Sequence, residues 1–329
     1  MNRRDVLGFG LAIGVVLALG LAPLAVQAQG KYPERSIRLV VPFPPGGFTD
    51  IVSRRFAAQI TPLLGQNIIV DNKGGAGGVI GTGEVARAKP DGYTLLMATS
   101  STHAFNPLTM ANLPYDPVKD FAPIALLATS ASTVAVHPTV AGSLPELIRR
   151  VRANPGKYSY GSSGTGGIVH LAGELFKKQA GGLDIVHVPY RGSGQSVQDL
   201  IAGQIPIAMI GTSTLPYHRS GKLRILAVFS EKRSDLAPDI PTAIELGVPG
   251  MVAYTFNVLC APTGTPKPII DQLYQATMKV VGNEAFQKDL VRLGADLVTD
   301  SNPEKAAQFI KDEITKWAPI VKASGVKAE

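Results

Sequence analysis

Two stretches of this chain share one construction: a short apolar strand, a loop of glycines and other small residues, and a helix. The first stretch is Ile37–Asp50, and the second is Tyr158–His170. The helix after the first loop carries apolar residues on one face, at the spacing of a core-facing helix; they are Val52, Phe56, Ile60 and Leu63. A strand that leads through such a loop into a helix restricts the chain to folds in which helices pack on a sheet.

The glycines of these loops leave bare backbone where a helix begins. They are Gly46 and Gly47 in the first loop and Gly164 and Gly166 in the second. The first turn of a helix has unpaired N–H groups and a partial positive charge, so it binds a carboxylate or phosphate without a basic side chain. Two such loops in one chain predict a small anion held between two lobes.

Strand and helix patterns alternate along nearly the whole chain, which predicts an α/β protein. The expected architecture is a pair of α/β lobes with two mostly parallel sheets and flanking helices. Separate strands are predicted at Ile124–Ala128 and Thr133–Val136. Capping boxes are predicted at Ser143 and Ser301, each followed three residues later by Glu.

The length of 329 residues suits two lobes. We expect a signal peptide over 1–28, a first part of lobe 1 over 29–122, an inserted lobe 2 over 123–222, and the rest of lobe 1 over 223–329. The turn-rich stretches Pro107–Pro123 and Ser220–Lys222 suggest the two crossings between the lobes.

The N-terminus is typical of an export signal. Arg3 and Arg4 precede the apolar run Leu7–Leu24, and Val26–Ala28 fits a small-residue cleavage site. We therefore expect a protein that is cleaved near Ala28 and acts outside the cytoplasm. The alternatives of an uncleaved anchor, and of export by the Sec or the twin-arginine route, stay open.

Composition narrows the function classes. The formal net charge is +7, without a Lys/Arg cluster interleaved with aromatics, so we expect no nucleic-acid partner. Cys260 is the single cysteine and lies in an apolar stretch, where we expect a core role. No Cys/His spacing indicates a zinc site, and we expect neither a metal nor a cofactor.

Other polar residues follow predicted strands or open helices, and each has two interpretations. Thr99–His103 supplies either ligand donors or an ordinary cap, and Asp50 either stabilises its helix start or contacts the ligand. His170 either points to the ligand or lies at a lobe surface. Arg191 binds a distal acid group or forms an ion pair.

A hydrolase that uses Ser162 or Ser163 is a further possibility. The loop lacks the Gly-x-Ser-x-Gly elbow, and the sequence shows no positioned base, so we expect no enzyme.

Several motifs together resemble the receptors of tripartite tricarboxylate transporters, the Bug family. They are Pro42-Phe-Pro-Pro-Gly-Gly-Phe-Thr-Asp50, Asn72-Lys-Gly-Gly-Ala-Gly-Gly78, Pro90-Asp-Gly-Tyr-Thr-Leu-Leu96, Tyr160-Gly-Ser-Ser-Gly-Thr-Gly166, His170-Leu-Ala-Gly-Glu-Leu-Phe176 and Val188-Pro-Tyr-Arg-Gly192. Asn72-Lys73-Gly74 departs from the family's usual Asn-Arg-Pro-Gly, although its glycines remain.

The resemblance implies a two-lobed, periplasmic-binding-protein-like (Venus flytrap) fold. It also implies a periplasmic, monomeric receptor that closes on an organic acid and delivers it to the permease subunits of a tripartite transporter. A sensor that presents a bound carboxylate to a membrane kinase is the alternative. The resemblance places the ligand at Pro44–Asp50 and Ser162–Gly167, with a distal pocket from Thr99–His103, Tyr190–Arg191 and Gly211–Thr214. The predicted ligand-binding set is Pro45, Gly46, Gly47, Phe48, Thr49, Asp50, Thr99, Ser100, Ser101, His103, Ser162, Ser163, Gly164, Thr165, Gly166, His170, Tyr190, Arg191 and Thr212.

Overall fold

The computed structural model describes residues 32–190, 192–235 and 237–326. The predicted signal peptide and its cleavage site near Ala28 lie outside these residues, as does Arg191. No helix in the described part of the chain has the length and apolar character needed to cross a membrane.

Strands and helices alternate as the sequence predicts. The strands are β1 (Ile37–Val41), β2 (Ile68–Asn72), β3 (Thr94–Thr99), β4 (Phe121–Val136), β5 (Tyr158–Ser162), β6 (Ile185–Pro189), β7 (Ile207–Gly211), β8 (Arg224–Val228), β9 (Tyr254–Pro262) and β10 (Asp296–Leu297). The helices are α1 (Phe48–Leu64), α2 (Val79–Ala86), α3 (Asn106–Thr109), α4 (Leu144–Ala153), α5 (Ile168–Gln179), α6 (Ser193–Ile201), α7 (Leu215–Arg219), α8 (Lys267–Val281), α9 (Glu284–Arg292) and α10 (Pro303–Ser324).

One sheet runs through the described residues in the order β2-β1-β3-β9-β4-β7-β5-β6, and β8 and β10 also pair with β4. The outer strands pair in parallel, namely β1 with β2 and β3, and β5 with β6 and β7. The central strands β4 and β9 run antiparallel to each of their neighbours. The α/β class is confirmed, and the antiparallel centre is a feature that the alternation alone did not predict.

The two strands predicted at Ile124–Ala128 and Thr133–Val136 form one long strand, β4. Its first part pairs with β9 as far as Ala131 opposite Tyr254, and from Ser132 onward it pairs with β7 and β8. The sheet therefore has a first half (β1, β2, β3, β9, β10) and a second half (β5, β6, β7, β8), both built on β4.

Helices cover both faces of this sheet with apolar side chains. In the first half, α1 and α8 place residues such as Phe56, Ile60 and Leu273 on the strands, and all three side chains are fully buried. The prediction for Leu63 is wrong, because the four-residue spacing of the buried face continues to Leu64, and Leu63 is 47% exposed. Helix α10 contacts β4, α3 and α5, so it packs on elements of both halves. Its Trp317 is fully buried, with its ring edge-on to Phe105 at a centroid distance of 5.1 Å.

One of the two predicted capping boxes is correct. The Ser143 side chain accepts a hydrogen bond from the Glu146 N–H at the start of α4. At α10 the prediction is wrong, because Asn302 is the cap and accepts from the Lys305 N–H at 2.7 Å. The Ser301 hydroxyl instead accepts a hydrogen bond from the Leu126 N–H in β4 at 2.8 Å, so it bonds to a distant strand and does not cap the helix.

Candidate functional site

The α1 junction, Pro44–Asp50, is a glycine loop that leads into α1 and is held by the buried carboxylate of Asp50. Gly46 has a φ of 87° and Gly47 has the extended backbone of an N-cap, without a side-chain cap. The Gly46 N–H donates to Asp50 Oδ2 at 2.9 Å, and Asn72 Nδ2 donates to Asp50 Oδ1 at 2.9 Å. Arg54 completes the set, with Nη2 3.0 Å from Asp50 Oδ1. The oxygens of Asp50 are thus engaged within the protein.

Burial alone would raise the pKa of Asp50. The hydrogen bonds from Arg54, from the Gly46 backbone and from Asn72 outweigh it and hold that pKa below its usual value. The carboxylate therefore stays charged at neutral pH and stabilises the positive end of α1. This geometry matches the helix-stabilising interpretation of Asp50.

The α5 junction, Ser162–His170, repeats this arrangement. Gly166 has a φ of 80°, and Gly167 is the N-cap with an extended backbone and no side-chain cap. The Gly166 N–H donates to His170 Nδ1 at 3.0 Å, four residues ahead, as Gly46 does to Asp50. Because Nδ1 accepts this bond, His170 carries its proton on Nε2. Burial lowers the pKa of His170, so the ring is neutral.

A cleft of about 690 Å³ lies between the two halves of the sheet, and the loop before α5 lines it, whereas Pro44–Asp50 of the α1 loop does not. The second half contributes Ser163, Thr165, Gly166 and Gly167, which precede α5. The first half contributes residues that follow its strands or lie near α3, namely Phe43, Ala76, Gly77, Ser101, Asn106, Thr109 and Met110. Of the predicted set, Ser101, Ser163, Thr165 and Gly166 line this cleft. In the α1 loop, Pro45, Gly46 and Gly47 are exposed, Phe48 is half-buried and Thr49 is buried.

The segment after β3 is mostly turned inward. Ser101 reaches the cleft, whereas Thr99, Ser100 and His103 are buried, and the Ser100 hydroxyl donates to Thr255 Oγ1 at 3.1 Å. The His103 ring packs on Phe121 at a centroid distance of 4.8 Å. Burial lowers the pKa of His103 to about 3, so it is neutral.

The ends of β6 and β7 hold two further predicted residues. Tyr190 is half-buried, and its hydroxyl donates to Asp199 Oδ2 at 2.7 Å. Thr212 is buried, and its hydroxyl donates to Gly294 O at 2.7 Å, which ties the second half to the segment before β10. Arg191 lies outside the described residues.

Sequence reasoning missed Asn257, a buried polar residue in β9. Its Nδ2 donates to Thr49 Oγ1 at 3.1 Å, and its Oδ1 is buried without a hydrogen-bond partner among the described residues. A buried amide in an apolar strand is itself a signal, because an unpaired polar atom costs about 1–3 kcal/mol. Asn106 and Met110 were missed as well, since nothing in their local pattern indicates a cleft.

Ser162 has a histidine partner, but the pair lacks the features of a nucleophile. Ser162 Oγ and His187 Nε2 are 2.7 Å apart. The Ser162 side chain is fully buried, and in the described part of the chain no carboxylate is hydrogen-bonded to His187 to orient it as a base. Across the same residues no cluster of three His, Cys, Asp or Glu side chains could hold a metal.

The profile described as "Tripartite tricarboxylate transporter family receptor" matches residues 52–326. The chain belongs to this family. Protein BugT of Bordetella pertussis (strain Tohama I) is 36% identical over 318 residues, which is 96% of this chain and 97% of BugT. The resemblance expected from the motifs is therefore confirmed.

Two solved structures of similar proteins contain carboxylates. Rpa4515 of R. palustris, solved with adipate, is 32% identical with a TM-score of 0.80, over 90% of this chain and 99% of that one. MatC from Rhodopseudomonas palustris, with bound malate, is 31% identical with a TM-score of 0.76, over 88% and 100% of the two chains. Tripartite tricarboxylate transporter receptors are periplasmic solute-binding proteins, so this chain is a solute-binding receptor and not an enzyme.

Proposed function

We propose that this receptor captures a small organic carboxylate in the cleft that the α5 loop lines, and that the exposed α1 loop, which follows the cleft residue Phe43, closes on it from the first half. The observation that carries the proposal is the matched pair of uncapped, glycine-initiated helices on the two halves of the sheet. The adipate and malate in the two similar structures support a carboxylate as the ligand class.

The ligand contacts that we propose are mainly backbone N–H groups. They lie at Gly47–Thr49 and Ser163–Gly167, with hydroxyls from Ser101 and Thr165 and a distal contact from Arg191. We assign Asp50, Ser162 and His170 to holding the loops, because their polar atoms bond within the protein. Tyr190 and Thr212 would shape the rim through their bonds to Asp199 and Gly294.

The expected free energies of these contacts are sufficient for micromolar binding of a carboxylate without a cation in direct contact with it. Micromolar affinity requires about 8 kcal/mol. A hydrogen bond to a charged group contributes roughly 1.5–3 kcal/mol, and a helix terminus up to about 2 kcal/mol. Five or six such contacts, together with the two helix termini, exceed this requirement before the cost of ordering the ligand and the lobes is subtracted.

Charge is distributed unevenly in a way that favours anions. Residues 132–230 contain ten Lys and Arg but four Asp and Glu, whereas the rest of the chain is nearly balanced. A basic second lobe attracts a small anion over distances of several ångströms at moderate salt.

We propose that the two halves move as lobes about the middle of β4. Its partners change after Ala131, and the Ser132 N–H donates to Ala253 O at 2.8 Å beside the start of β9. This pairing supports lobe limits later in the chain than 122/123 and 222/223, because β8 still pairs with the second part of β4.

The receptor would act in the periplasm after cleavage near Ala28, as a monomer, and deliver its ligand to the permease subunits of a tripartite transporter. Family membership supports this partner.

Isothermal titration of the mature protein with malate, adipate, citrate and acidic amino acids tests the proposed binding. We expect at least one ligand with micromolar affinity and one-to-one stoichiometry. Ester substrates serve as a control, and we expect no turnover with the wild type or with Ser163→Ala. Absence of binding across the whole panel would remove the proposal.

A further inference from the structure

Next to the loop before α5, the aromatic rings of His170, His187 and Tyr160 pack on one another and form a column. The His170 and His187 rings are stacked, with centroids 3.8 Å apart and an interplanar angle of 7°. The Tyr160 ring packs against His187 at a centroid distance of 4.9 Å. His170 comes from α5, His187 from β6 and Tyr160 from β5, so the column joins three elements of the second half.

Each histidine of the column is bonded to the loop that enters the cleft. His170 Nδ1 accepts from the Gly166 N–H at 3.0 Å, and His187 Nε2 lies 2.7 Å from Ser162 Oγ. Ser162 Oγ in turn accepts from the Gly164 N–H at 3.2 Å. The backbone of the loop is thus fastened at Gly164 and Gly166, on either side of Thr165, which lines the cleft.

The column has few charged neighbours, and they are paired with each other. Glu174 and Lys177 on α5 are 3.1 Å apart. The Tyr160 hydroxyl lies 2.8 Å from Glu174 Oε1 and 3.2 Å from His170 O. Burial, and then the neighbouring His170, lower the pKa of His187 to about 4. Both rings are therefore neutral at pH 7, as the acceptor role of His170 Nδ1 requires.

We propose that His187, with His170 stacked on it, is a positioning residue that holds the loop Ser162–Gly167 in its ligand-binding shape. The inference rests on the proposed function, because it assigns the loop to the ligand. Neither ring has to touch the ligand. A proton on His170 Nδ1 would place a donor against the Gly166 N–H and release one side of the loop.

Two pairs of variants separate ring packing from hydrogen bonding. His187→Gln keeps a polar atom near the position of Nε2, and His170→Asn keeps an acceptor near the position of Nδ1. His187→Phe and His170→Phe keep a ring and lose the bond. His137→Phe is the matched control, because His137 bonds to Thr139 in the same half, outside the column.

The first measurement needs no ligand. Hydrogen exchange of residues 162–167 is followed by mass spectrometry at pH 7.5, with the free energy of unfolding measured in parallel. We expect the two Phe variants to speed exchange of this loop about tenfold, the effect of one lost hydrogen bond. The Gln, Asn and control variants should stay within about threefold. Exchange rates within twofold of wild type in both Phe variants would overturn the inference, as would faster exchange spread evenly over the chain.

The second measurement is the Kd for malate and adipate by titration calorimetry. We expect the Phe variants to weaken binding about tenfold, with rescue in the Asn and Gln variants. Because the pKa of His170 lies below its usual value, wild-type affinity should fall only as the pH drops below 6.5, and the fall should be smaller in His170→Asn. If the wild type binds no member of the carboxylate panel, the proposed function fails, while the exchange data still decide the role of the column.

Discussion

The α1 and α5 junctions have the same backbone but are fastened by different chemistry. In each, a glycine with positive φ donates its N–H to the side chain four residues ahead, and a glycine N-cap follows. At α1 the acceptor is the Asp50 carboxylate, paired with Arg54. At α5 it is the neutral imidazole of His170, stacked on His187. One backbone shape can thus be fixed by an ion or by an uncharged ring, and the two junctions should differ most in their response to pH.

The largest effect is expected from Asp50→Ala. The change leaves the Gly46 N–H, Asn72 and Arg54 without their shared acceptor, so we expect unfolding free energy to fall by about 3 kcal/mol. Urea denaturation measures it. Asp50→Asn keeps one oxygen acceptor and should lose less. Equal stability of Asp50→Ala and wild type would show that the α1 loop does not depend on this carboxylate.

The α5 junction should lose stability in mild acid. His187 has a folded-state pKa of about 4, below the usual value near 6.5, so the unfolded chain takes up its proton first as pH falls. Its contribution is complete above pH 6.5 and declines by about 2 kcal/mol by pH 5.

Comparing wild type with His187→Gln at pH 7.5 and pH 5 isolates this histidine from other titrating groups. We expect a smaller acid-induced loss in the variant. Asp50, whose pKa is lowered, keeps its charge over this interval, so Asp50→Asn should leave the acid-induced loss unchanged. An equal reduction of that loss in Asp50→Asn and His187→Gln would contradict the contrast.

Alanine substitutions at the glycines test whether the two backbones are equivalent. Gly46→Ala and Gly166→Ala each place a side chain at positive φ with no atom closer than 3.9 Å, so both should cost about 1 kcal/mol from conformation alone. Gly47→Ala and Gly167→Ala have extended backbones and should change stability by less than about 0.5 kcal/mol. Thermal denaturation of the four variants measures these effects, and unequal costs at Gly46 and Gly166 would break the equivalence.

The smallest effect is expected from Arg54→Gln. Arg54 is half-exposed and Asp50 keeps its bonds to Gly46 and Asn72, so we expect a loss of about 0.5 kcal/mol, shrinking further in 0.5 M salt. Chemical denaturation at two salt concentrations provides the measurement. A loss as large as that of Asp50→Ala would mean that the ion pair, rather than the backbone bond, fixes the loop.

Local patterns predicted the elements well and their partners poorly. The limits of β1 and α4 follow directly from apolar periodicity and flanking turn residues. The cap of α10 was misplaced by one residue because Ser301 and Asn302 are both good caps, and the choice depends on Leu126, far away in the chain. The union of two predicted strands into β4 likewise depends on pairing with β7, β8 and β9.

The residues of the candidate site likewise divide into those that the sequence predicted and those that depend on distant parts of the chain. The glycines of both junctions could be found from their sequence, because positive φ and uncapped helix starts have a residue signature. His187 could not, since its role comes from a stack across β6 and α5. The segment Ser101–Phe105 forms a π-helical turn, and its His103 lies in the core against Phe121. A hydroxyl-rich sequence gives no sign of that turn.

Trp317 gives this receptor an intrinsic optical probe. It is the single tryptophan of the chain, and its indole N–H donates to the buried Glu313 at 3.0 Å. Helix α10 contacts α3 in one half and α5 in the other. A movement of one half relative to the other would therefore change the polarity around the indole. Emission from the unlabelled protein should therefore report domain movement in real time, in a spectrum free of other tryptophans.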